Sequence, residues 1–327
     1  MVISASYKTD IPAFYGRWLL NRLDAGYCWV KNPVSGRPFY VSLARQDVEG
    51  IVFWTKNPWP FMAFAQHVRD RGHPLYFQQT ITGYGESIER AVLPASRSIE
   101  AAKRLVDTFG AGSVVWRYDP IVVTGAMPSD WHVENFGQLA AALAGYVDEV
   151  ATKFLVLHSK TRRNLTAAIG RTWKDPDPTS KASILRTFNN IAKSHNMKLT
   201  LCSQPDIPVE LPHAICIDAL RLNALGAHIV APKTLGNRPG CLCIEARDIG
   251  DYDTCPQAVH IATPLRINVL PFKGTSCTTR MPNRSFPCNA PNESRRCAKR
   301  LSLTPRVSER SSVDRKTRNT DHRILGL

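Results

Sequence analysis

Five cysteines, Cys202, Cys216, Cys241, Cys243 and Cys255, fall within a span of 54 residues. Thiolates are the ligands that zinc and iron–sulfur clusters prefer, and a Cys-x-Cys pair followed by a further cysteine can bring several sulfurs onto one centre. The same residues also serve as small, inert fillers of a core. Spacing alone leaves ligation and packing open. The chain has nine cysteines. An odd number points to free thiols or metal ligands in a reducing compartment rather than to a disulfide framework.

A second group of candidates is charged. Lys56, Arg117 and Asp119 each follow closely on an apolar, strand-like run, and Asp10 follows the first such run. Charges at such places are seldom left without partners. A Lys/Arg pair would suit a carboxylate or phosphate ligand. Asp119 as general base, with Lys56 or Arg117 as electrophile, would suit a hydrolase or isomerase that needs no cluster. The plainer alternative is an internal Arg117–Asp119 ion pair.

The elements that must position these groups alternate strand and helix. Val2–Ser6, Tyr27–Val30, Ile51–Thr55, Leu75–Thr82, Val114–Tyr118, Ala151–Leu157 and Lys198–Cys202 are β-rich runs. His228–Val230 is a weak one. Helical spacing joins Phe14, Trp18, Leu19 and Leu23, with Asp10 and Pro12 at the start and Gly26 at the stop. Further helices are expected over 58–71, 94–109, 129–144, 179–194 (capped by Thr179 or Ser180) and 214–225. Such alternation implies parallel strands with right-handed crossovers. No G-x-G-x-x-G turn follows the first strand, which disfavours a dinucleotide-binding sheet. The expected fold is therefore α/β, a full or partial parallel (β/α) barrel over residues 1–257. In a barrel the strand ends share one face, and Thr9-Asp10, Thr55-Lys56-Asn57, Gln78, Thr80, Thr82, Arg117-Tyr118-Asp119, His158 and Cys202 would line it.

Residues 258–327 read differently. The chain carries 42 Lys and Arg against 27 Asp and Glu, a formal charge of +15. From residue 255 onward there are 14 basic and 4 acidic residues, so two thirds of the excess is in this tail. All seven Trp and nine Tyr precede residue 255. A disordered basic tail is expected, with a nucleic-acid arm as the sharper alternative; its basic residues are scattered rather than interleaved with aromatics. No apolar run is long enough for a membrane span, and no charged-then-apolar leader opens the sequence, so a cytoplasmic, non-membrane protein is expected.

The segments Thr9-Asp-Ile-Pro-Ala-Phe-Tyr15, Val52-Phe-Trp-Thr-Lys-Asn-Pro58, Phe77-Gln-Gln-Thr-Ile-Thr-Gly-Tyr-Gly85, Val115-Trp-Arg-Tyr-Asp-Pro120, Gly240-Cys-Leu-Cys243 and Asp248-Ile-Gly-Asp-Tyr-Asp-Thr-Cys-Pro256 resemble the bacterial family called domain of unknown function 1848. The likeness runs from about residue 2 to Gln257. It implies no established reaction. It does imply a terminal cysteine motif, Cys-x-x-x-Cys-x-aromatic-Cys, like the one with which radical S-adenosylmethionine enzymes hold a four-iron cluster. Cys255 would be its first ligand. Cys202, Cys216, Cys241 and Cys243 would then serve a second cluster or a zinc site, and Asp10, Lys56 and Arg117 would contact cofactor or substrate.

The chain departs from that motif after Gln257, where it reads Ala258-Val-His-Ile-Ala-Thr-Pro264. Back-translating these residues and reading one nucleotide earlier permits Gly-Cys-Ala-Tyr-Cys-Tyr-Ala, the missing motif. Loss of one G would produce this chain, with the tail translated out of frame and radical chemistry impaired.

Overall fold

The computed structural model describes residues 1–250, apart from 33, 34, 90, 91, 235 and 237. The expected boundary at 257, Cys255 and the basic tail lie outside the described residues.

Seven parallel strands form the central sheet: β1 (Val2–Ala5), β4 (Gly50–Thr55), β5 (Leu75–Thr80), β6 (Val114–Ile121), β7 (Glu149–Phe154), β8 (Lys198–Leu201) and β9 (Ala246–Asp248). Two further strands, β2 (Tyr27–Lys31) and β3 (Pro38–Ser42), pair as a separate antiparallel hairpin. The sheet order is β8-β7-β6-β5-β4-β1-β9. From β1 to β8 each strand is laid beside the previous one in a single direction. Right-handed crossovers repeated in one direction put all the connecting helices on the same face. The sheet has edges at β8 and β9, so among the described residues it is open, an arrangement compatible with a partial barrel.

Helix α6 (Ser159–Ile169) packs through Leu165 in a separate cluster with Tyr84, Ile88 and Val122, and the helices on the outer face are α1 (Ile11–Phe14), α2 (Gly16–Ala25), α3 (Met62–Asp70), α4 (Ala95–Phe109), α5 (Ser129–Leu143) and α7 (Pro178–Ser194). Alternate strand residues Ile51 and Phe53, Leu75 and Phe77, Val114 and Trp116 face them in one continuous core. Trp116 stacks on Phe136 of α5 with ring centroids 5.0 Å apart, and Phe136 on Phe188 of α7 at 4.1 Å. Because side chains alternate across a strand, the intervening residues point to the inner face. There Val2, Val52, Trp54, Tyr76, Val115 and Ala151 pack against the segment from Ala214 to Ile229 and against Ile244. Every residue of β4 and β5 is buried, as coverage on both faces requires.

Several sequence expectations are corrected. Residues 214–225 do not form one helix; only α8 (Ala219–Ala224) is helical. The backbone ahead of it is tied to the sheet instead, with Ala214 N donating to Leu201 O, and Tyr76 Oη and Gln78 Nε2 both donating to Cys216 O. Residues 228–230 are not a strand. The seventh strand of the sheet is β9, whose sequence Ala-Arg-Asp carries no apolar alternation. The cap of α7 is Asp177, whose side chain accepts from Thr179 N and Ser180 N. Helix α6 and strand β3 have no counterpart in the sequence reading.

Candidate thiol and ion-pair site at the carboxyl edge of the sheet

The inner face turns polar toward the carboxyl ends of the strands. On β6, Arg117 follows Val115 on that face, and its guanidinium is 1% exposed. Nε donates to Asp119 Oδ1 at 3.3 Å, and Nη2 pairs with Asp119 Oδ2. Nη1 donates to Gln78 Oε1 and to Cys216 Sγ, both at 3.1 Å. Trp54 lies under the guanidinium at 5.1 Å. Burial works against the charge, but the Asp119 carboxylate overrides it and holds Arg117 protonated. The internal ion pair is thus formed, and it aims Arg117 at a cysteine.

Lys56, just after β4, pairs with Glu89, a residue the sequence reading did not single out. Thr82 Oγ1 donates to the second oxygen of Glu89 at 2.8 Å. Asp10 is a tether: Oδ1 accepts from Ala13 N at 3.0 Å, capping α1, and Oδ2 accepts from Lys56 N at 2.9 Å. Burial raises its carboxyl to about 6 despite these donors. Asp248 of β9 does similar work on the next strand. It accepts from Ser4 Oγ, Ser6 Oγ and Tyr7 N and lies 3.5 Å from Lys8 Nζ. Nothing in its own tripeptide marks it, and only the β1–β9 pairing makes it central.

Four of the predicted cysteines are brought together. Cys202 directly follows β8 and packs on the inner face, and Cys202 Sγ lies 3.9 Å from Cys216 Sγ. Cys216 N donates to Cys243 Sγ at 3.2 Å, and Cys243 hydrogen-bonds Cys241. All four are free thiols. The bond between the Cys202 and Cys216 side chains, with burial, pushes Cys202 up; the same bond lowers Cys216, but the contact with Cys243 and burial outweigh it and push Cys216 up to about 11. Half-exposed Cys241 is drawn down to about 6 by its bond from Cys243. Two thiolates on one tetrahedral zinc at about 2.3 Å would sit roughly 3.8 Å apart, so the Cys202–Cys216 spacing and the all-sulfur donor set fit a thiophilic centre. The remaining sulfurs do not close around the same point: no group of three or more His, Cys, Asp or Glu among the described residues is arranged to hold a metal ion.

The open grooves lie elsewhere. One of 690 Å³ runs along β3, and one of 620 Å³ is lined by Gly112, Asp148 and Asp218 at the amino end of the strands. Neither touches a candidate residue. No helix among the described residues is long and apolar enough to cross a membrane.

The fold and this edge define a singly wound parallel α/β protein with thiols and buried ion pairs gathered where the strands end. The chain belongs to the family described as Domain of unknown function (DUF1848), whose model matches residues 2–260. No curated protein matches it.

Proposed function

We propose that the chain is an iron–sulfur protein of radical S-adenosylmethionine type, acting on a substrate held at the carboxyl ends of the strands and impaired here by the loss of two motif cysteines. The observation that carries this reading is the gathering of Cys202, Cys216, Cys241 and Cys243 beside Arg117 at the carboxyl edge, where parallel α/β proteins bind their ligands. Such a cluster, when bound, supplies the electron that cleaves S-adenosylmethionine. The chain's own groups do the rest. Burial and the neighbouring thiols keep Cys216 and Cys243 protonated, and the Arg117 Nη1–H on Cys216 Sγ and the Cys216 N–H on Cys243 Sγ would stabilise the thiolates once a metal displaced those protons. Asp10 fixes the backbone at Lys56, and Lys56 and Arg117 are the cofactor contacts, with Asp119 holding Arg117 in place.

The test is anaerobic reconstitution with iron and sulfide of three proteins: this chain, the chain with the reading frame restored after Gln257, and the restored chain carrying Cys202→Ala and Cys216→Ala. The restored chain is expected to bind the most iron and to cleave S-adenosylmethionine when reduced. The double variant should lose part of the iron. If the restored chain binds no more iron than the parent, the radical reading is overturned, and a cluster-free hydrolase or isomerase takes its place. Zinc taken up by the four thiols in place of iron would overturn the cluster assignment at that site.

A further inference from the structure

We propose that the gathered thiols are a thiol–disulfide exchange site for a low-molecular-weight disulfide, which enters at Cys241 and Cys243 and leaves the chain with a buried Cys202–Cys216 disulfide. Two contacts carry the inference. The sulfurs of Cys202 and Cys216 lie 3.9 Å apart, and Cys216 N donates to Cys243 Sγ at 3.2 Å. The thiols therefore run in a string from Cys241 and Cys243, both partly exposed, to Cys202 and Cys216, which are 7% and 6% exposed. Cys28 is the contrast: it is equally buried but packs in the core under the helices, apart from the other four.

The backbone fixes the buried pair. Leu201 and His213 form a parallel bridge, with Leu201 N donating to Pro212 O at 2.9 Å and Ala214 N to Leu201 O at 3.0 Å. Cys202 N donates to Thr152 O at 2.9 Å. Tyr76 Oη and Gln78 Nε2 hold Cys216 O at 2.8 and 2.9 Å. A disulfide sets its sulfurs about 2.05 Å apart, so the two must close by about 1.9 Å, a movement on the scale of a side-chain rotation. Arg117 Nη1 donates to Cys216 Sγ at 3.1 Å, which puts a cation beside a sulfur that first attacks and is then attacked.

The exchange balances. Cys241 Sγ attacks one sulfur of the substrate, RSSR, and one RSH leaves. Cys243 Sγ attacks Cys241 Sγ and releases the second RSH. Cys216 Sγ attacks Cys243 Sγ and frees the Cys241 thiol, and Cys202 Sγ attacks Cys216 Sγ and frees the Cys243 thiol. Each attacking thiol gives up a proton and each displaced sulfur takes one. In sum, two protein thiols lose two electrons and one substrate disulfide becomes two thiols. The oxidised pair has no thiolate to offer a metal, so exchange would also regulate the proposed centre; only that consequence rests on the proposed function.

The test uses the full chain, stripped of metal by a chelator, freed of reductant under anaerobic conditions and exposed to oxidised glutathione. Free thiols are alkylated in denaturant, and linked peptides are mapped by mass spectrometry. A linked pair carrying Cys202 and Cys216 is expected, reversible by dithiothreitol, with Cys28 alkylated. In Cys241→Ser with Cys243→Ser the same link should form at least tenfold more slowly. Absence of the link in the parent, or a link that forms as fast in the double variant, would overturn the inference. Iron uptake by the reduced parent is measured alongside. A Cys202–Cys216 link in a chain that takes up no iron leaves the exchange site standing and removes the metal reading, whereas iron uptake without the link removes the exchange site alone.

Discussion

Replacing Asp119 by Ala strips the counter-charge from a guanidinium that is 1% exposed. Two of the three bonding nitrogens of Arg117, Nε and Nη2, then have no acceptor, while Nη1 keeps Gln78 and Cys216. Removing one partner of a buried pair costs about 3–5 kcal/mol, chiefly because the other charge stays buried and bare. That is a large part of the roughly 5–15 kcal/mol by which a domain is stable. Urea denaturation followed by circular dichroism would read it as a lower midpoint at unchanged slope. The control is the double variant Arg117→Met with Asp119→Leu, which removes both charges and keeps the volume. It should be less destabilised than Asp119→Ala alone, with a coupling energy of about 2 kcal/mol or more. If Asp119→Ala costs less than about 1 kcal/mol, water reaches the pair and the inner face is not a dry site. If the double variant costs the sum of the singles, the two charges do not act as a unit.

Two further outcomes are expected. A β-carbon added at Gly236 would lie 1.9 Å from the carbonyl oxygen of Cys241, so Gly236→Ala must displace the Cys241–Cys243 turn; metal retained after desalting should fall while the melting temperature of the metal-free chain barely changes, and equal retention would separate this turn from ligation. His132 Nε2 donates to Val122 O and Nδ1 accepts from Tyr118 Oη, and burial pulls the ring down to about 4. The unfolded chain, with histidine near its usual 6.5, therefore binds more protons between about pH 4 and 6.5, and stability rises with pH across that window. Asp10, raised to about 6, opposes this over an overlapping range. Urea midpoints measured across the window should rise less steeply with pH, or fall, for His132→Gln and rise more steeply for Asp10→Asn; unchanged slopes would refute both assignments.

The six longer strands of the sheet and most of the helices were legible in the sequence because burial on one or two faces imposes a period on the residues. Ile51–Thr55, 94–109 and 129–144 carry that period plainly. The family likeness was legible as well, since blocks such as Val115-Trp-Arg-Tyr-Asp-Pro120 keep their order along the chain. Strand β9 was not, because an edge strand of three half-exposed residues is defined by its partner and not by its own pattern. Nor was the refusal of residues 214–218 to form a helix, which depends on Tyr76 and Gln78, some 140 residues away, claiming the carbonyl of Cys216. The candidate site divides the same way. Residue type singled out Lys56, Arg117, Asp119 and the cysteines, because charges and thiols near apolar runs demand an explanation. Which of them pair, and that Glu89 rather than Asp119 answers Lys56, was decided by the sheet order.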